Sequence, residues 1–194
     1  MSDEIHITAE PQAVPSQCKF MVDRPVYDSR SYWFGSAEAA ELSPLAKRLF
    51  EISGVSAVLV SHQTITLTKS TPDPWQFVGP QAGAAIRAHI QSGEEAVSAA
   101  LTEQLPSSAE LRERVESVIA TEVAPSVAQH GGSIQVVDVK DNNVLIQMGG
   151  GCQGCSSATA TLKYGVEAAI RKAVPEVGEI IDTTNHGAGA NPYM

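Results

Sequence analysis

One stretch of the chain, residues 92–109, has no apolar stripe and separates two segments with regular apolar spacing. The stretch is made mostly of small and polar residues and contains Pro106, a composition typical of a boundary between domains. Each flanking segment is long enough to bury a small core of its own. We therefore predict two small α+β domains. The predicted bounds are residues 4–95 for the first domain, 96–108 for a linker, 109–184 for the second domain and 185–194 for a flexible tail.

The first segment predicts strands alternating with two helices. Ser43 is a good N-cap and Pro44 a good first helical residue, with Gly54 placed for a left-handed helix end. Pro80 is expected to open a second helix that ends at Gly93. The predicted strands are residues 5–9 and 18–23, which should pair, and residues 57–61 and 64–68, which should form a hairpin.

The second segment predicts the order helix, strand, strand, helix, strand. Ser107 and Glu110 have the spacing of a capping box, and Pro125 should end or kink the helix that they begin. The strands IQVVDV and VLIQM flank a turn in which an asparagine is expected to adopt a positive φ. A helix over residues 157–173 and a strand beginning at Glu179 complete a sheet with helices on one face.

Charge and composition argue against several classes of protein. The formal net charge is −9, and no cluster of Lys or Arg offers a surface for nucleic acid. No run of about 18 apolar residues predicts a membrane span. The acidic start of the chain is unlike a signal or transit peptide, and three cysteines cannot form a full disulfide framework. We therefore expect a cytoplasmic protein that does not act on nucleic acid or membranes.

The motif GGGCQGCSSATATLK carries the clearest chemical signal. It places Cys152 and Cys155 two residues apart, after three glycines and before a predicted helix. The N–H groups and dipole at a helix N-terminus favour anions, so thiolates should form readily there. The two-residue gap lets both sulfurs reach one metal centre, and glycines let the backbone approach an inorganic sulfide. Cys152 and Cys155 are therefore our candidate metal and cluster ligands.

Three other interpretations of the cysteine pair stay open at this point. A thiol-disulfide oxidoreductase would usually carry Trp before and Pro within the motif, whereas this chain has Gly151, Gln153 and Gly154. A structural zinc site needs four ligands, and His130 at a helix end has no ligand spacing. An ordinary buried pair would not need the preceding glycines. Two ligands per chain are most simply completed by a second copy, which could hold a [4Fe-4S] cluster across the interface.

The segments HGGSIQVVDV, GGGCQGCSSATATLK and AVPEVGEI resemble the C-terminal domain of NifU, which Nfu proteins share. The segments CKFMVDRPV, SPLAKRLFEISGVSAVLV, TITLTK and DPWQFVGP resemble the N-terminal domain of Nfu proteins. The resemblance implies a non-enzymatic iron-sulfur scaffold or carrier that binds a [4Fe-4S] cluster between two protomers through Cys152 and Cys155. It also implies an upstream cluster donor and apo-protein clients that receive the cluster.

The remaining chemically notable residues have structural interpretations. Cys18 is predicted to pack within a strand of the first domain. Trp33 and Trp75 are expected to anchor the first core. We assign no function to His62, His89 or His186, which fall in a predicted turn, helix and tail.

Overall fold

The computed structural model describes residues 4–28, 30–150 and 156–184, and for residues 156–162 it describes the backbone alone. The contacts divide the chain into two compact units, which meet in sequence at Leu105 and Pro106. Each unit packs helices against its own sheet, so the α+β prediction is confirmed. Among the helices of the described residues, none is long and apolar enough to cross a bilayer.

The first unit is built on a five-stranded antiparallel sheet. Its strands are β1 (Ile7–Pro11), β2 (Gln17–Val22), β3 (Tyr32–Phe34), β4 (Val55–Ser61) and β5 (Thr64–Lys69). They lie in the order β1-β2-β5-β4-β3, which leaves β1 and β3 at the edges. The predicted pairing of β1 with β2 and of β4 with β5 is confirmed. Strand β3 was not predicted, because three residues are too few to show an alternating pattern.

Three helices accompany this sheet: α1 (Pro44–Phe50), α2 (Trp75–Ser92) and α3 (Ala99–Glu103). Helix α1 begins as predicted, since the Ser43 hydroxyl accepts a hydrogen bond from the Ala46 N–H at 3.1 Å. It ends earlier than expected, at Phe50, and Gly54 takes its positive φ of 90° in the following turn. The first core lies between these helices and the sheet, with Phe20, Leu49 and Ile86 among its buried residues.

Helix α2 shows that the predicted start at Pro80 was wrong. The helix begins five residues earlier, at Trp75, and Pro80 lies inside it. The first turn is held by tertiary contacts: the Trp75 indole N–H donates to the Pro15 carbonyl at 3.0 Å, and its ring meets Phe20 edge-on. These contacts compensate for the backbone hydrogen bond that the helix loses because Pro80 has no N–H. The helix ends as predicted at Gly93, which has a φ of 68°.

Part of the segment that we predicted to be a linker packs into the first unit. Ala96 and Val97 are buried in its core, and α3 follows them. The Thr102 hydroxyl in α3 lies 2.6 Å from the Tyr32 hydroxyl and 3.1 Å from that of Tyr27. These hydrogen bonds fasten a sequence of low hydrophobicity to the sheet edge.

The second unit has the predicted order of elements. It contains α4 (Ser108–Val118), a π-helical turn (Ile119–Val123), α5 (Ala124–Gln129), β6 (Gly132–Lys140), β7 (Asn143–Gly150), α6 (Ser156–Ala173) and β8 (Ile180–Asp182). The strands lie in the order β6-β7-β8, with β6 and β7 antiparallel and β7 and β8 parallel. The Ser107 and Glu110 capping box at the start of α4 is confirmed.

Two local details of the second unit refine the predictions. Of the two outcomes predicted for Pro125, an end or a kink, the helix does not end there: a π-helical turn interrupts the α-helical winding just before Pro125, with the Ala124 N–H donating to the Ile119 carbonyl five residues back. The turn between β6 and β7 places its positive φ of 55° at Asp141 rather than at an asparagine. Aspartate tolerates this conformation for the same reason as asparagine, through a short polar side chain.

The first unit buries an ionisable side chain, His89 of α2, which is 2% exposed. Burial is the main cause that lowers its pKa, and the nearby Arg48 adds to the effect. Glu94 partly opposes this, with a carboxylate oxygen 4.0 Å from His89 Nδ1 that also pairs with Arg48 at 3.1 Å. His89 is therefore held in its neutral form in the folded unit.

The first unit should lose stability as the pH falls below the ordinary histidine pKa of 6.5. The unfolded chain then takes up a proton that folded His89 resists, and each pKa unit of difference is worth about 1.4 kcal/mol. The contribution of neutral His89 to the free energy of unfolding is fully present above pH 6.5. It is lost progressively as the pH falls toward the lowered pKa of His89 in the folded unit. Denaturant unfolding followed by tryptophan fluorescence at pH 7.5 and 5.5 measures this, since Trp33 and Trp75 both lie in the first unit. A His89→Met variant should lose most of the dependence; an unchanged profile would contradict the prediction.

Candidate functional site

The candidate site lies in the connection between β7 and α6. Strand β7 ends at Gly150 and helix α6 begins at Ser156, so five residues join them. Cys152 and Cys155 are within this connection and lie outside the described residues. The described structure therefore defines the frame that carries the two cysteines: the strand before them and the helix immediately after Cys155.

Two glycines at the end of β7 lie close to the start of β6, and at Gly150 the backbone requires glycine. Gly150 has a φ of 65°, a left-handed conformation, and a Cβ there would collide with the backbone carbonyl of Gly131. A Cβ on Gly149 would come within 2.6 Å of the Ser133 hydroxyl oxygen. The register pairs Gly149 with Ser133 and Gly150 with Gly132. At Gly150, the start of β6 and the end of β7 thus approach too closely for a side chain, just before the cysteine-bearing connection.

Core packing and the last strand fix the position of β7. Val144, Ile146 and Met148 alternate along the strand and are each at most 1% exposed. The Met148 N–H donates to the Thr184 hydroxyl at 2.7 Å, a buried bond that lies just beyond β8. The Thr183 N–H donates to the Ile146 carbonyl at 2.9 Å. Because β7 is held from both neighbouring strands, the point at which the connection leaves the sheet is well defined.

Helix α6 supplies the electrostatic part of the frame. It runs for 18 residues, and Val166 and Ile170 are buried on its inner face. Its last turn carries Arg171 and Lys172, which complement the negative end of the helix dipole. The positive end is at Ser156, next in sequence to Cys155, and the N–H groups of a first turn lower the pKa of a neighbouring thiol. This arrangement suits a thiolate ligand.

A small recess of about 270 Å³ borders this strand end. It is lined by residues of β6 and β7 that include Ser133, Gln135, Gln147 and Gly149. The Gln135 amide donates to the Gln147 side-chain oxygen at 3.0 Å across the two strands. The residues lining the recess carry no charge, and Ile134 and Met148 among them are apolar, so this surface is mixed and uncharged.

The other candidate residues take structural positions. Cys18 is 1% exposed in the first core, as predicted, and burial raises the pKa of its thiol. His130 is the C-terminal cap residue of α5, and His62 lies at the turn between β4 and β5, 3.3 Å from an Asp28 oxygen. His186 lies outside the described residues. Within the described part of the chain, no group of three or more His, Cys, Asp or Glu is placed to hold a metal ion.

Sequence reasoning missed the contribution of Gly131 and Ser133 to the site. Both lie opposite the glycines that precede the cysteines, and Gly131 has a φ of 69°. The signal was present in the pair Gly131 and Gly132 after a helix, but only the strand register shows which residues they face.

Both units match known protein families in sequence. Residues 7–93 match the family model described as "Scaffold protein Nfu/NifU N terminal", and residues 115–181 match "NifU-like domain". A relative from Arabidopsis thaliana, "NifU-like protein 5, mitochondrial", is 30% identical over 92% of this chain and 69% of its own length. A relative from Drosophila persimilis, "NFU1 iron-sulfur cluster scaffold homolog, mitochondrial", is 33% identical over 86% of this chain.

The chain spans 61% of the Drosophila protein, about three fifths of the length of that curated relative. A solution structure of a NifU-like protein from Saccharomyces cerevisiae is 19% identical, with a TM-score of 0.45 over 51% of this chain and 91% of that one. The two family models follow each other here in the order of the two units. The chain belongs to the Nfu family of NifU-like proteins.

Proposed function

We propose that this protein is a scaffold or carrier for an iron-sulfur cluster, and that it has no enzymatic activity of its own. The observation that carries the proposal is the position of the cysteine pair in the chain. It follows a strand end where close backbone approach requires glycine, and it precedes the N-terminus of an 18-residue helix. The relatives named as iron-sulfur cluster scaffold and Fe/S biogenesis proteins support it. The cluster is the cargo, and Cys152 and Cys155 are its ligands.

We further propose that the cluster is of the [4Fe-4S] type and is bound between two copies of the chain. One chain offers two thiolates at this site, and a cubane cluster needs four ligands. The partner copy would supply its own Cys152 and Cys155. A cluster held across such an interface is accessible to incoming thiolates, which suits transfer from a donor and then to apo-protein clients by ligand exchange.

The odd number of cysteines leads us to propose a reducing compartment, the cytoplasm.

Anaerobic reconstitution of the full chain tests the proposal. With ferrous iron and sulfide, we expect about four irons and four sulfides per two chains, and a doubling of mass in sedimentation. The loaded protein should then restore activity to an apo-enzyme that requires a [4Fe-4S] cluster. Two results would contradict the proposal. Tightly bound, colourless zinc whose removal unfolds the second unit would indicate a structural metal site. Disulfide reduction by the iron-free chain would indicate an oxidoreductase.

A further inference from the structure

The first unit has an open cleft between β1 and α2. The residues that line it are distant in sequence from Cys152 and Cys155. Its volume is about 670 Å³, within the range of pockets that bind ligands. Apolar side chains of the sheet, among them Ile7, Ala9 and Phe20, form one wall. Gly79, Gly83 and Arg87 of α2 belong to the other.

Two of the α2 residues that line the cleft have no side chain to fill it. Gly79 and Gly83 are four residues apart, so they lie on one face of the helix. A Cβ added at either position would meet nothing within 4 Å. Glycine weakens a helix by about 1 kcal/mol relative to alanine, and no backbone strain here requires it. The two glycines are explained by the space that they leave free.

The strand that borders the cleft is an edge strand with outward-facing backbone groups. The His6 carbonyl accepts from the Asp23 N–H, and the Gln12 N–H donates to the Gln17 carbonyl, both at 3.1 Å. These bonds point toward β2, so the alternation of an antiparallel ladder turns the peptide groups of Ile7 and Ala9 away from the sheet. Pro11 has no N–H, which centres any further pairing on Ile7 and Ala9.

The charged side chain that lines the cleft is a cation, although the whole protein is acidic and the Glu10 carboxylate of β1 lies near Cys18. Among the described residues that line the cleft, Arg87 carries the one formal charge. One of its guanidinium nitrogens donates to the carbonyl of Ile5, two residues before β1, at 3.4 Å. Near Trp75, another lining residue, the Lys69 ammonium lies 5.6 Å from the ring centroid. A ligand with an acidic group would therefore be favoured over a basic one.

We propose that this cleft binds an extended segment of a partner protein by strand addition to β1. The segment would pair with the peptide groups of Ile7 and Ala9 and place alternate apolar side chains beneath Gly79 and Gly83. An acidic side chain or a terminal carboxylate would meet Arg87. The surface would select a protein partner independently of the cysteine pair, so the inference does not depend on the proposed cluster function.

A displayed library of random ten-residue peptides, selected on the full chain, tests the proposal. We expect enriched peptides to contain two apolar residues separated by one residue, with an acidic residue nearby. For a synthetic peptide of the enriched sequence, Gly83→Leu should weaken binding about tenfold or more. The leucine side chain would fill the space in which an apolar side chain of the peptide is buried. Ala84→Leu is the matched control, since Ala84 is exposed on the same helix and does not line the cleft. Arg87→Gln should weaken binding of the acidic peptide and leave its uncharged amide analogue unaffected.

Amide hydrogen exchange distinguishes strand addition from other modes of binding. The bound peptide should slow exchange at Ile7 and Ala9 and leave the opposite edge strand, β3, unchanged. Lack of enrichment, equal binding by Gly83→Leu, or unaltered exchange at Ile7 and Ala9 would each overturn the proposal. Concentration-dependent dimerisation of the free chain that Gly83→Leu abolishes would also overturn it, because the occupant would then be a second copy.

Discussion

A chain carrying both Cys152→Ala and Cys155→Ala is expected to retain iron and sulfide at background level after anaerobic reconstitution. The unaltered chain should retain about four of each per two copies. The reason is that the described residues offer no alternative cluster of metal ligands. Iron and sulfide assays, with visible and Mössbauer spectra, measure the difference and identify the cluster type. The doubly substituted chain should also remain monomeric under conditions in which the loaded protein dimerises.

Cys18→Ala is the matched control for this experiment. The Cys18 thiol is 1% exposed in β2, and its raised pKa keeps it protonated at neutral pH. Its replacement should leave the iron and sulfide content unchanged and affect the stability of the first unit alone. Undiminished cluster in the doubly substituted chain, or its loss in Cys18→Ala, would contradict the assignment of the ligands.

Gly150→Ala should cause a large loss of stability in the second unit, about 2–3 kcal/mol. An alanine is strained at a φ of 65°, and its Cβ would displace the Gly131 backbone. Gly149→Ala should cost less, because the Ser133 side chain that it meets is able to rotate. Amide hydrogen exchange along β6 and β7 reports the free energy of opening for this unit, which has no tryptophan.

The matched control for Gly150→Ala is Gly165→Ala in α6. A Cβ at Gly165 meets nothing within 4 Å, and alanine favours the helix, so stability should rise by about 0.5–1 kcal/mol. Gly150→Ala should also lower the cluster content of reconstituted protein, because the strand end that positions the cysteines shifts. A Gly150→Ala chain as stable as the unaltered one would show that this close approach is not required.

The sequence predicted those elements whose signals are local. The hairpin of β4 and β5, the capping box at Ser107 and the span of α6 each depend on residues within a few positions of one another. The start of α2 was misplaced because Trp75 is held by Pro15 and Phe20, which lie more than 50 residues away in sequence. Helix α3 escaped prediction for a similar reason, since its Thr102 bonds to tyrosines of distant loops and strands.

In the candidate site, too, the sequence predicts the features that are local, and it does not predict those that depend on tertiary contacts. The cysteine spacing, the glycines and the following helix are adjacent in sequence, and together they suffice to predict thiolate ligands. The contact of Gly150 with Gly131 joins positions 19 residues apart and depends on the register of β6 with β7. The cleft beside β1 also has no sequence signature, because it arises where two glycines of a helix face an edge strand formed some 70 residues earlier.

The pairing of β8 with β7 has a consequence for biosynthesis. On a ribosome, β7 emerges more than 30 residues before Ile180 and Thr184, which complete its hydrogen bonds on one side. Until those residues leave the exit tunnel, one flank of the nascent β7 strand stays unpaired, just before the cysteines in sequence. A nonsense codon or a proteolytic cut upstream of Ile180 would therefore yield a product that has both cysteines but lacks the strand that completes the pairing of β7.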